Sequence, residues 1–167
     1  MNQDHHFVIG STHKVCEDYV ISGQKNDTRY LILSDGCSSS KNTDIGSRLM
    51  CLSALQHIEH SNKEELFRHL TYRTLSTMIA MTDLNKSAMD CTLIAVALKN
   101  DKIYVNIIGD GYVQIEYENY SKTITADYIN NMPFYLSYLE NEFALNEFEN
   151  LYKDGRTVFS TYETYLN

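Results

Sequence analysis

Hydrophobic positions along this chain follow two regimes: apolar runs of strand length towards either end, and a three-to-four-residue spacing in the middle. Phe7-Val8-Ile9-Gly10 and Tyr19-Val20-Ile21 predict short strands separated by a polar segment. Gly23-Gln24-Lys25-Asn26-Asp27 is a turn cluster, and Arg29-Tyr30-Leu31-Ile32-Leu33 predicts a strand that stops at Ser34-Asp35-Gly36. A run that is apolar on both faces suits a strand in the middle of a layered structure. From Asn42 the spacing becomes helical. Thr43 or Asp44 can cap a helix whose stripe is Ile45, Leu49, Leu52, Leu55 and Ile58. Ser61-Asn62-Lys63-Glu64 fits a capping box that opens a second helix, running to about Leu84 with Leu66, Leu70, Leu75, Met78 and Ile79 on one side. Strands return at 91–98 and 103–108, and the short turn between them predicts an antiparallel hairpin. Residues 112–117 alternate apolar and polar. The order predicts an α+β fold, an antiparallel β-sheet or sandwich flanked by two long helices. The tyrosine-rich tail from Asn130 to Asn167 is weakly periodic and predicts no definite element.

Composition narrows the class. There is one proline, Pro133, and no Gly/Ser-rich linker on which to divide the chain, so residues 1–167 read as one domain. The net charge of −8 argues against nucleic acid or an anionic membrane as a partner, since both attract Lys/Arg-rich surfaces. The polar start Met1-Asn2-Gln3-Asp4-His5-His6 lacks the apolar stretch of a secretory signal, and no 18-residue apolar run occurs, so a cytoplasmic protein is expected. Cys16, Cys37, Cys51 and Cys91 form no C-x-x-C pair and are expected as free thiols.

Acidic residues recur where predicted strands end: Glu17-Asp18, Asp35-Gly36 and Asp110-Gly111. Strand ends can converge on one edge of a sheet, and hard cations such as Mg²⁺ take oxygen ligands, a set that Mn²⁺ also accepts. A glycine beside a carboxylate lets its own carbonyl approach the same ion. Each motif alone is more simply an Asp-Gly turn.

In this order, the segments resemble the type-2C, PPM-type metal-dependent protein serine/threonine phosphatases. Gly10-Ser11-Thr12-His13-Lys14-Val15-Cys16-Glu17-Asp18-Tyr19 resembles the family's first motif, and Leu31-Ile32-Leu33-Ser34-Asp35-Gly36-Cys37-Ser38-Ser39 the second, leading into a helix through Asp44-Ile45-Gly46-Ser47. Asp90-Cys91-Thr92-Leu93-Ile94 with Val105-Asn106-Ile107-Ile108-Gly109-Asp110-Gly111 resembles a later strand pair. Histidine in place of an early arginine, and Asn131-Met132-Pro133-Phe134-Tyr135-Leu136-Ser137-Tyr138, resemble a bacterial subgroup.

The resemblance implies hydrolysis of phosphoserine or phosphothreonine in a phosphoprotein substrate, by a water activated at a binuclear Mn²⁺ or Mg²⁺ site. It implies that Asp35 bridges two ions, Glu17 binds the second, Gly36 offers its carbonyl and Asp18 supports that shell. Asp110 corresponds to an aspartate associated with a third ion. His13 stands where the family usually has a phosphate-binding arginine; it can contact phosphate or protonate the leaving alkoxide, but cannot form a bidentate fork. The family has two further metal aspartates near its C-terminus. After Asp110 this chain has only Asp127 and Asp154, and Asp154-Gly155 precedes Thr157-Val158-Phe159, so it reads as a turn. The expectation is a chain that lacks the C-terminal part of the family fold. The alternatives are a pseudophosphatase, a regulatory binding module with an incomplete metal site, and a plain acidic interaction domain.

Three other features have blander readings. His57-Ile58-Glu59-His60 lacks the zincin spacing and reads as solvated helix residues. Cys37 reads as a small residue packed near Asp35, rather than a nucleophile. The tyrosines between 112 and 138 read as buried amphipathic packing.

Overall fold

The computed structural model describes residues 4–58, 75–77, 79–80, 83–128, 130, 132–152 and 159–165. Strands β1 (Tyr19–Lys25) and β2 (Thr28–Ser34) lead into helix α1 (Thr43–His57). A 3₁₀ turn at Lys86–Met89 precedes β3 (Leu93–Lys99), β4 (Lys102–Ile108), β5 (Gly111–Glu116) and β6 (Ser121–Ala126). A second 3₁₀ turn at Leu136–Glu140, helix α2 (Glu142–Leu151) and β7 (Phe159–Tyr165) follow. Five strands form one antiparallel sheet in the order β1-β2-β3-β4-β7, and β5 pairs with β6. The fold is α+β, as the pattern predicts.

The apolar run at β3 becomes an inner strand covered on both faces, whereas β2 is covered on the helical side and leaves Leu31 exposed on the other. Ile32, Leu93, Ala95 and Ala97 point to the helical side, where they pack with Met50, Cys51, Ala54, Phe134 and Phe148. Ile94, Ile103, Val105 and Ile107 point to the other side and meet Ile115 and Ile124 of the β5–β6 hairpin. The period of two sorts one sequence into two cores. The β3–β4 connection is a two-residue loop with Asn100 and Asp101 both at positive φ (51° and 59°), the turn geometry that matches strand twist.

Residues 7–10 are not a strand. They are exposed, Phe7 leaning on Tyr19 with ring centroids 5.9 Å apart, and among the described residues β1 pairs with β2 alone. Of the predicted stripe of helix α1, Ile58 is buried in the core and Leu49 and Leu55 pack against it, but two members turn outward. Ile45 and Leu52 are exposed (39% and 43%), and the buried face is Thr43, Gly46, Ser47, Met50, Cys51, Ser53 and Ala54. Small residues win because the helix lies close against its neighbours. A Cβ at Gly46 would stand 1.6 Å from the carbonyl oxygen of Ala88. Asn42, with φ at 61°, is the N-cap in place of Thr43 or Asp44.

Of the predicted second helix, residues 75–77 and 79–80 are helical, with Leu75 and Ile79 buried. Its capping box, Leu66, Leu70 and Met78 lie outside the described residues, as do Glu59 and His60. The tail holds α2 and the edge strand β7. Asn141 caps α2 through its side chain to the Ala144 N–H, and Phe148 is its buried anchor. Tyr128, Tyr138 and Tyr152 pack on Phe134 and Phe148, but Tyr112 and Tyr120 are exposed (68% and 59%). The first of these exceptions follows from alternation along β5, which turns Tyr112 outward. No helix among the described residues is long and apolar enough to cross a membrane.

Candidate metal centre

Antiparallel order brings the acidic motifs together. Tyr19 pairs with Ser34, Leu33 with Ile94, and Leu93 with Ile108, so the start of β1, the end of β2, the start of β3 and the end of β4 lie at the same end of the sheet. Glu17-Asp18 enters there, Asp35-Gly36 and Gly109-Asp110 leave there, and Asp90 to Thr92 enters between them. His13, Glu17, Asp18, Asp35, Gly36 and Asp110 all line one cavity of about 440 Å³, together with Val8, Cys37, Thr92, Pro133 and Tyr135. Every site residue expected from the sequence therefore reaches the same pocket.

Backbone contacts fix the floor of that cavity. Thr92 N–H donates to the Asp35 carbonyl at 2.8 Å, and its hydroxyl accepts from Asp35 N–H at 3.1 Å. Behind them Ser34 Oγ, fully buried, donates to the Thr92 carbonyl at 2.7 Å. Gly36 N–H donates to the Glu17 carbonyl at 3.2 Å. A Cβ on Gly36 would lie 2.9 Å from that carbonyl oxygen and 2.7 Å from Thr43 Cβ, so only glycine permits the approach.

The carboxylates crowd one another. Asp35 reaches solvent at the pocket mouth, yet its carboxyl is pushed up to about 7. Loss of solvation is the first cause, followed by a hydrogen bond and like charge from Asp18, then the charges of Asp110 and Glu17. His13 stands at the rim and meets Glu17 through Nδ1···Oε2 at 2.5 Å. Neither Lys nor Arg is among the lining residues. Such a donor set, all oxygen and short of compensating positive charge, fits Mg²⁺ or Mn²⁺. Among the described residues, no three His, Cys, Asp or Glu side chains stand in a metal-holding arrangement.

Several pocket residues carried no site reading in the sequence. Thr92 is the main one; a threonine entering a buried strand gives little signal without the register that sets it beside Asp35. Cys37 is partly buried on the cavity wall. Burial pushes its thiol up, but hydrogen bonds from Ser39, Tyr135 and Ser40 outweigh this and hold it below the usual thiol range. Asp154 and Gly155 lie outside the described residues.

Fold and pocket together describe a phosphatase-like α+β domain with an acidic end. A family model described as protein phosphatase 2C matches residues 9–157, and the chain belongs to that family. Solved structures share the fold. A bacterial serine phosphatase is 14% identical with a TM-score of 0.60, over 95% of this chain and 70% of that one. The S. agalactiae serine/threonine phosphatase is 15% identical with a TM-score of 0.56, over 96% of this chain and 72% of that one. RsbX, solved in complex with magnesium, is 11% identical with a TM-score of 0.55, over 94% of this chain and 64% of its own. The chain thus spans about two thirds of the length of these structures. No curated protein matches by sequence.

Proposed function

We propose that this chain hydrolyses phosphoserine and phosphothreonine monoesters in proteins, using Mn²⁺ or Mg²⁺ held by its acidic pocket. The supporting observation is the convergence of Glu17, Asp18, Asp35 and Asp110 on one cavity in a chain of the protein phosphatase 2C family. Asp35 and Glu17 would hold two ions with help from the Gly36 carbonyl, and Asp110 a third. Bound ions supply positive charge for the phosphoryl oxygens and lower the pKa of water. Asp18, beside Asp35 in the same pocket, would support that shell. His13, hydrogen-bonded to Glu17 on the cavity lining, would contact phosphate or give a proton to the leaving serine or threonine oxygen. Val8, Pro133 and Tyr135 form the cavity's less polar wall, beside which a peptide can lie.

A second reading has its own observation. Among the described residues the cavity's acidic side chains are Glu17, Asp18, Asp35 and Asp110, and a set this small also suits a regulatory module that binds a phosphoprotein without turning it over. Mn²⁺-dependent hydrolysis of an aryl phosphate and of a phosphothreonine peptide, stopped by chelator, separates the two. Asp18→Ala is expected to lower turnover by about 10–100-fold, the usual effect of removing a group that orients a metal ligand. Calorimetric Mn²⁺ binding without turnover favours the second reading; absence of both removes the metal centre.

A further inference from the structure

Asp90 does not line the carboxylate cavity, yet it touches both segments that wall it in. Its Oδ2 accepts from Ser40 Oγ at 2.5 Å, and its Oδ1 accepts from Ser137 Oγ. Its carbonyl accepts from Cys37 N–H at 2.8 Å. Ser40 ends the loop that leaves Asp35 through Cys37 and Ser38, which are part of the cavity wall. Ser137 lies in the first turn of the 3₁₀ segment that follows Pro133 and Tyr135, also part of that wall. These two stretches of wall come from distant parts of the sequence and meet where Cys37 hydrogen-bonds Tyr135, and one carboxylate takes a hydroxyl from each.

We infer that Asp90 is a positioning residue that ties the Cys37–Ser40 loop to the Tyr135–Ser137 segment and so sets the width of the cavity. Hydroxyl-to-carboxylate bonds are among the stronger hydrogen bonds, and two on one group fix a distance as well as an energy. Buried Ser137 has no bulk solvent to replace the lost acceptor. The metal-facing carboxylates are held differently: Asp35 by Thr92, and the Glu17 backbone by Gly36. Loss of Asp90 should therefore loosen the walls before it disturbs the ion site.

The effect on substrate rests on the phosphatase reading; the effect on the walls does not, and the two are measured separately. Cys37 reports wall motion, since Cys51 and Cys91 are fully buried and Cys16 can be replaced by serine. In a Cys16→Ser background, Asp90→Ala is expected to speed iodoacetamide labelling of Cys37 by about five- to tenfold, the loss of roughly one strong hydrogen bond. Asp90→Asn, which keeps one acceptor oxygen, should fall between, and it serves if the alanine variant does not fold. With a phosphothreonine peptide, KM should rise by about the same factor while kcat and Mn²⁺ affinity stay within about threefold. Unchanged Cys37 labelling overturns the inference. So does a lowered melting temperature with unchanged KM, or an equal loss of Mn²⁺ affinity. If the parent protein turns over no phosphoester, the functional reading fails and the labelling rates alone decide the role of Asp90.

Discussion

Replacing Asp35 by asparagine is expected to lower Mn²⁺-dependent phosphoester turnover by about 1,000-fold, the scale of several kcal/mol of lost charge stabilisation. In chelator at pH 7.5 the same variant should be more stable than the parent. Both effects come from one crowded carboxyl. In the folded chain Asp35 titrates near 7 against an ordinary value of 3.8, because burial and its acidic neighbours disfavour the charge. Between those values the folded protein holds a proton that the unfolded chain has released. Stability therefore falls as pH rises from about 4 to about 7, and the penalty stays constant above that. Asparagine removes this slope. Because Asp35 reaches solvent and shares its charge with Asp18, the gain is discounted for screening to about 1–2 kcal/mol. Added Mn²⁺ should reverse the ranking, stabilising the parent by mass action and leaving the variant unmoved. Urea unfolding at pH 5 and 7.5, with and without Mn²⁺, tests all of this. A parent that is indifferent to the ion, or an asparagine variant that is weaker in chelator, contradicts the picture.

How far the site was legible in the sequence depended on periodicity. Alternating strands joined by short turns imply an antiparallel order, and that order alone puts Asp18, Asp35 and Asp110 at one end of a sheet. Glu17 followed from its place beside Asp18 at the start of β1, whereas His13 came from the family resemblance and not from any period. What failed was any judgement that depended on how closely elements approach. Ile45 and Leu52 looked like part of the inner stripe of α1 with Leu49, Leu55 and Ile58, but the inward face is centred on Gly46, where the helix meets the 3₁₀ turn at 86–89 too closely for a side chain. Gly46, Ser47 and Ala54 fill that face instead. Helix α2 and strand β7 were missed for a different reason. A ten-residue helix with one fully buried residue, Phe148, leaves little apolar period to read, and an edge strand is specified by β4 rather than by its own composition. Asp90 was invisible as a clamp because its partners, Ser40 and Ser137, are polar residues with no spacing relation to it.

Gly46→Ala is expected to destabilise the protein by about 3 kcal/mol, lowering its melting temperature by roughly 6–12 °C for a chain of this size. Helix propensity alone argues the opposite, since alanine is favoured over glycine inside a helix by about 1 kcal/mol. Contact decides the sign. The new methyl would meet the Ala88 carbonyl oxygen at 1.6 Å and its carbon at 2.7 Å, and a backbone group cannot rotate aside. Either α1 or the 86–89 turn must shift. That turn runs directly into Asp90, the Gly36–Cys91 bridge and Thr92, which carry the loop after Asp35. Mn²⁺ affinity should therefore fall along with stability, although position 46 is outside the pocket lining. Ile45→Ala is the control: it changes an exposed face of the same helix and should cost less than about 1 kcal/mol while leaving Mn²⁺ binding intact. A Gly46→Ala protein as stable as its parent would show that α1 does not pack against the turn, and the support described for Asp35 would lose its outer layer.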